Sequence, residues 1–143
     1  MGTTNLRAYQ GDRSQTGQRN VFTLEAVVDF SKNNVGISEV CQIFDVFPGW
    51  RVMAASQEVL VAEDGVALGD LGDDTDPNGY VAIQDLEVVA FVHGAGAYAA
   101  AGRAYTVADT VDFIPSAAVD TCKIAFKILV ADLNVATPPI DVT

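Results

Sequence analysis

The chain carries one histidine, two cysteines, one tryptophan and five prolines in 143 residues, and only eight Lys and Arg against 19 Asp and Glu. Each shortage closes off a class of protein. With His93 as the single imidazole, a Ser–His–Asp triad has to be built on that residue, and no Gly-x-Ser-x-Gly elbow presents a nucleophile to it. His-Glu-x-x-His, Cys-x-x-Cys, P-loop and Gly-x-Gly-x-x-Gly signatures are also missing. His93, beside Gly94, therefore reads as a loop or surface residue. Cys41 and Cys122 are too few for a disulfide framework and lie in apolar runs, so both read as buried free thiols, with a bridge between them as the alternative. No apolar run approaches the length of a membrane span, and Met1–Arg7 has no apolar signal-type core, which leads to the expectation of a reducing cytoplasm as the place of synthesis. The shortage of cations leaves a net charge of −11, which keeps a chain soluble and repels nucleic acid. Neither nucleic acid nor a membrane is expected as a partner.

What is present is hydrophobic: half of the residues, enough for one domain with a real core. The few cations are unevenly spread. Arg7, Arg13, Arg19 and Lys32 are half of them and meet only Asp12, Glu25 and Asp29, whereas Arg51, Arg103, Lys123 and Lys127 meet sixteen acids. A mildly basic stretch thus precedes an acidic body. Residues 1–20 show no period and read as an extended arm. Residues 21–134 read as the folded domain. Residues 135–143, with Thr137-Pro138-Pro139, read as an extended tail.

Within the domain the dominant period is two, the mark of half-buried strands. In Val21–Phe30, Phe22, Leu24, Ala26, Val28 and Phe30 share a face. Val40–Phe47 is a second strand, stopped by Pro48-Gly49. Trp50–Ala62 changes phase between Val52 and Val59, which implies a β-bulge near Ser56-Gln57 or a strand that passes from one sheet to another. Trp50 itself reads as core packing beside the Pro48-Gly49 turn. Glu63-Asp64-Gly65 carries the Asp-Gly signal of a hairpin, followed by a short strand over Val66–Leu71. Val81–Leu86 has the look of one helical turn, Glu87–Val92 is strand-like, and Gly94–Gly102 fits either a short Ala helix or a flexible loop, with the flanking glycines favouring the loop. Arg103–Val107, Thr110–Ile114 and Cys122–Leu133 complete about eight short strands, the pattern of an all-β antiparallel β-sandwich, best described as jelly-roll-like.

One segment invites a metal. From Asp74 the sequence runs Asp74-x-Asp76-x-Asn78-Gly79-Tyr80, with Asp85 at the twelfth position, which is the ligand spacing of an EF-hand calcium loop. Pro77 stiffens it, Asp85 reaches less far than Glu, and its left flank is a strand rather than a helix. The competing reading is a turn in which Asp and Asn cap backbone N–H groups, and it is preferred: no catalytic, cofactor or metal residue is assigned.

With its neighbours, the loop carries a resemblance. Ala-Leu-Gly-Asp, then Thr-Asp-Pro-Asn-Gly-Tyr-Val, Gly-Ala-Tyr, Arg-Ala-Tyr-Thr-Val-Ala-Asp-Thr-Val-Asp-Phe, and a Lys-bearing strand ending Val130-Ala131-Asp132-Leu133 resemble small virion structural proteins of tailed bacteriophages. The nearest class is the capsid decoration, or cement, proteins, and the resemblance spans about residues 40–133. It implies a β-sandwich without enzymatic activity or cofactor, bound to the major capsid protein on the outside of the virion, often as a trimer and often through an N-terminal arm. Residues 1–20 correspond to that arm. A calcium-dependent module binding sugar or protein, or a tail or head-fibre component, is the alternative.

Overall fold

A computed structural model describes residues 21–134; the arm at 1–20 and the tail at 135–143 lie outside the described residues. The chain forms β1 (Val21–Asp29), β2 (Cys41–Val46), β3 (Trp50–Val61), β4 (Leu68–Gly72), β5 (Val81–Asp85), β6 (Phe91–His93), α1 (Ala97–Ala101), β7 (Arg103–Ala104), β8 (Asp109–Pro115) and β9 (Lys123–Asp132). Two antiparallel sheets face each other. The first has the order β1-β9-β3-β6, with β7 beside the start of β3; the second has the order β2-β8-β4-β5.

This order has a simple origin. With β7 set aside, the pairs β4·β5, β3·β6, β2·β8 and β1·β9 are nested outwards from the connection between β4 and β5. The chain is one long hairpin rolled up so that alternate pairs fall in opposite sheets. That is the jelly roll, and the Asp-rich segment is the tip of its innermost hairpin. Period-two alternation holds the roll closed. Ile124, Phe126, Ile128 and Val130 of β9 are fully buried between the sheets, and so are Val52 and Val59 of β3 and Val111 and Phe113 of β8. Phe113 stacks at 5.5 Å on Phe30 and at 5.3 Å on Phe126, so aromatic rings from both sheets form the centre.

Several local expectations are corrected. The phase change in β3 comes from a bulge between Val52 and Ala54, not at Ser56-Gln57, and β3 stays in one sheet throughout. Glu63-Asp64-Gly65 is no hairpin: it joins β3 in one sheet to β4 in the other. Val81–Leu86 is not a helical turn. It holds β5, whose alternation is obscured by a register shift against β4 and by Ile83 at φ 47°. Gly94–Gly102 is not all loop, because Ala97–Ala101 forms a helical turn that Gly102 ends at φ 73°. The strand in Glu87–Val92 shrinks to Phe91–His93. Trp50 packs edge-on against Phe22 at 5.2 Å and Phe47 at 4.9 Å, on the margin of the core. Both cysteines are free, Cys122 buried and Cys41 only partly so. Burial pushes the Cys41 thiol up to about 11 and the Cys122 thiol up to about 12, which leaves neither reactive as a thiolate near neutrality.

Candidate functional site

The tip of the roll is where the polar chemistry concentrates. Leu71 is opposite Val81 in the β4–β5 pair, and the eight residues from Asp73 to Tyr80 cross between them. The crossing folds back on its own strand. A Cβ at Gly72 would collide with the carbonyl of Asp76 and with Pro77, so only glycine admits this path.

The carboxylate at the centre is Asp73, a residue that the calcium spacing passes over. Asp73 is 1% exposed. Its Oδ1 accepts from the backbone N–H groups of Thr75 and Asp76, both at 3.0 Å, and from the Tyr98 hydroxyl at 2.9 Å. Its Oδ2 accepts from Nε of Arg103 at 3.0 Å. Arg103 in turn lies over the rings of Tyr98 at 4.8 Å and Tyr105 at 5.0 Å. The Tyr105 hydroxyl bonds that of Tyr80 at 2.8 Å, and both tyrosines are buried. Backbone bonds close the ring: Tyr98 N–H donates to Gly79 at 2.9 Å, and Gly96 N–H to Tyr80 at 3.1 Å. One carboxylate thus ties the tip of the roll to α1 and β7, which follow in sequence and border the opposite sheet.

Electrostatics agree with a structural role. Burial alone would raise the Asp73 carboxyl, but its hydrogen bonds from the Asp76 backbone, Tyr98 and Arg103 outweigh burial and hold it below the usual range. Burial, reinforced by the Asp73 charge, pushes the Tyr98 hydroxyl up to about 12. Burial also raises Tyr80 and Tyr105. Near neutral pH an ionised acceptor is surrounded by protonated donors. Nothing in that set moves a proton near neutral pH, so the arrangement performs mechanics rather than acid–base chemistry.

The four residues with calcium spacing are dispersed. Asp74 and Asn78 are exposed and Asp76 partly so, at the tip. Asp85 is opposite Leu68 at the far end of the β4–β5 pair, where it accepts from the Glu87 N–H at 2.9 Å. A strand's length therefore separates the twelfth ligand from the first three. Among the described residues, the carboxylates that do converge are those of Glu63, Asp64 and Asp120. Glu63, 5% exposed, already accepts from three successive backbone N–H groups: Asp120 at 3.2 Å, Thr121 at 2.8 Å and Cys122 at 2.9 Å. It fastens the β3–β4 crossover to the β8–β9 connection. His93 lies exposed on β6, with its ring 4.7 Å from that of Phe91.

Two buried polar features have no counterpart in the sequence reading. Asp112, on the outer side of β8, is 2% exposed and accepts from the Thr110 hydroxyl at 2.6 Å. Burial, with added repulsion from Asp74, Asp109 and Asp73, raises its carboxyl. Between the sheets, Gln57 donates to Gln84 at 2.7 Å, and Gln84 donates to the Ala90 carbonyl at 3.2 Å. That carbonyl fixes the sense of both amides, and Gln57 Oε1 is left buried without a donor. A single sequence carries no signal for either, because each depends on which strand covers which.

No family model and no curated protein matches the chain. Solved structures match its fold. A chain in the capsid of Ralstonia phage GP4 superposes with a TM-score of 0.63 at 13% identity, over 78% of this chain and 84% of that one. A chain in the acidic stable capsid of Helicobacter pylori bacteriophage KHP30 gives 0.60 at 14% identity, over 86% and 92%. A chain of the cyanophage Pam1 capsid asymmetric unit gives 0.59 at 14%, over 92% and 99%. At these identities the likeness is one of fold.

Proposed function

We propose that the chain is a non-enzymatic virion structural protein that binds the outer surface of a phage capsid and stabilises the shell, as decoration or cement proteins do. The observation that carries the reading is the near-complete coverage of chains from three phage capsids by one jelly roll. The polar centre of the roll supports it, since it braces the fold and offers no acid–base pair. The partner is the major capsid protein, and the arm at 1–20 is the docking element. Its net positive charge suits an acidic partner, and an extended segment can add a strand to a neighbouring sheet. The cost of ordering such an arm is offset when many copies bind one lattice. The acidic body then faces solvent and keeps particles apart.

Purified particles test this directly. The protein is expected to co-purify at fixed stoichiometry and to appear as density on the outside of the shell. Removal of residues 1–20 is expected to abolish binding and leave the melting temperature of the body unchanged. Full-stoichiometry binding by the truncated protein refutes the role of the arm; density in a tail or fibre refutes the capsid assignment. Self-association is expected, and the mass in solution tells the trimer that the resemblance implies from any other assembly.

A further inference from the structure

The outer face of the β1-β9-β3-β6 sheet departs from what an antiparallel sandwich normally turns to water, which is an alternation of buried apolar and exposed polar residues. Its register can be read row by row. One row runs Val27, Ala125, Glu58, Phe91; the next runs Glu25, Lys127, Ser56, His93. A third joins Thr23, Leu129 and Ala54. Val27 is 58% exposed and Phe91 53%, on a floor of small side chains with shallow hollows of about 230 and 310 Å³.

The charge on this face is distinctive. Between residues 21 and 134 there are seventeen acids and five bases. Three of the bases, Arg51, Lys123 and Lys127, lie on this face with three acids, Asp29, Glu25 and Glu58; Lys123 is opposite Asp29 and Lys127 opposite Glu25, while Arg51 is opposite Ala131. Lys127 bonds Glu25 at 3.0 Å. The face is electrically neutral. The rest of the body holds fourteen acids against Lys32 and Arg103, and Arg103 is bound to Asp73.

We infer that this face is the contact surface between two copies of the chain, related by a two-fold axis. A body this acidic repels its own kind on every side except here. A two-fold contact requires a surface complementary to itself, and an apolar floor crossed by adjacent Glu25 and Lys127 meets that condition, because each Lys127 then faces the other copy's Glu25. A lattice partner that is itself acidic selects a net positive surface, which this is not. Three strands of about nine residues and the 3 residues of β6, spaced about 4.8 Å and rising about 3.4 Å per residue, give a face of roughly 500 Å². That is below the ~800 Å² per partner of stable complexes, so the pair is a weak, reversible one. This inference is independent of the capsid reading.

Analytical ultracentrifugation of the full chain from 1 to 300 µM tests it. A monomer–dimer equilibrium is expected. Val27→Lys, at an exposed position, is expected to weaken it at least tenfold without altering the melting temperature. Lys127→Glu and Glu25→Lys are each expected to weaken it severalfold, and the double variant to restore it, since the exchanged pair is again self-complementary. A monomer at 300 µM, a trimeric mass, a dimer insensitive to Val27→Lys, or a double variant no better than the singles each overturns the inference.

Discussion

Replacing Asp73 should cost more stability than replacing any other acid of the loop. The carboxylate accepts three bonds from neutral donors and one from Arg103. At about 0.5–1.5 kcal/mol for each neutral bond and about 1.5–3 kcal/mol for the charged one, their sum is roughly 3–7 kcal/mol. Thr75 is exposed and Asp76 partly so, which lets water reach their N–H groups when the acceptor goes, as it reaches Arg103, 27% exposed. The lower end is therefore expected for Asp73→Ala, about 3–4 kcal/mol. Asp73→Asn is milder. Its remaining carbonyl oxygen keeps the bonds to Thr75, Asp76 and Tyr98, while its amide meets Arg103 donor to donor, so about 1.5–3 kcal/mol is lost. Asp74→Ala, at an exposed position outside the Asp73 network, should stay within about 0.5 kcal/mol. Urea denaturation followed by Trp50 fluorescence measures all three, and in thermal melts Asp73→Ala should fall by roughly 6–16 °C at about 2–4 °C per kcal/mol. Because the Asp73 carboxyl is lowered in the folded state, its contribution is present above its unfolded value and is lost as pH falls through the folded one. The gap between Asp73→Asn and the native chain should therefore close in acid below the ordinary carboxyl value of 3.8. An Asp73→Ala variant within about 1 kcal/mol of the native chain, or an Asp74→Ala variant equally damaged, refutes the assignment of Asp73 as the brace of the tip.

Asp112 should behave in the opposite sense: its carboxyl is raised, so the folded chain gains stability as pH falls from neutral through that value, and Asp112→Asn should raise the melting temperature at pH 7 but not near pH 4. Glu63→Gln leaves one carbonyl oxygen for three backbone donors and should cost about 1–3 kcal/mol in urea denaturation, with Glu63→Ala worse. Calcium at millimolar concentration should leave the melting temperature unchanged, because Asp85 lies a strand's length from Asp74, Asp76 and Asn78; a rise of several degrees would restore the calcium reading. Gln57→Met alone should destabilise by about 1–3 kcal/mol, since Gln84 Oε1 loses its donor, whereas Gln57→Met with Gln84→Met should recover most of the loss and remove the unpaired Oε1, because the Ala90 carbonyl keeps its bond from Val59 at 2.9 Å.

How much of this was legible depends on the range of the interaction that decides each feature. Period two in β1, β2 and β9 needs only neighbours in sequence, because one side of each strand is buried and the other wet, and those strands stand where the alternation puts them. β5 escapes because Ile83 at φ 47° breaks the alternation, and what holds that break is the register of a separate strand, Leu71 on Val81 but Gly69 on Gln84. The Asp-Gly signal at Asp64-Gly65 fails for a related reason. The strands on either side of it pair with β9 and β8, in different sheets, and not with each other. The loop shows the same limit in its chemistry. Spacing singles out Asp74, Asp76 and Asn78 because a calcium site is encoded locally. The residue that organises the segment is Asp73, whose partners Tyr98 and Arg103 lie 25 and 30 positions away. What marks Asp73 out is burial, and a carboxylate can be buried beside an apolar core only where distant donors meet it. Acids abundant in a sequence thus distribute themselves by access to donors: the few that find three or four become framework, and the remainder set the charge that decides which face of the roll another molecule can approach.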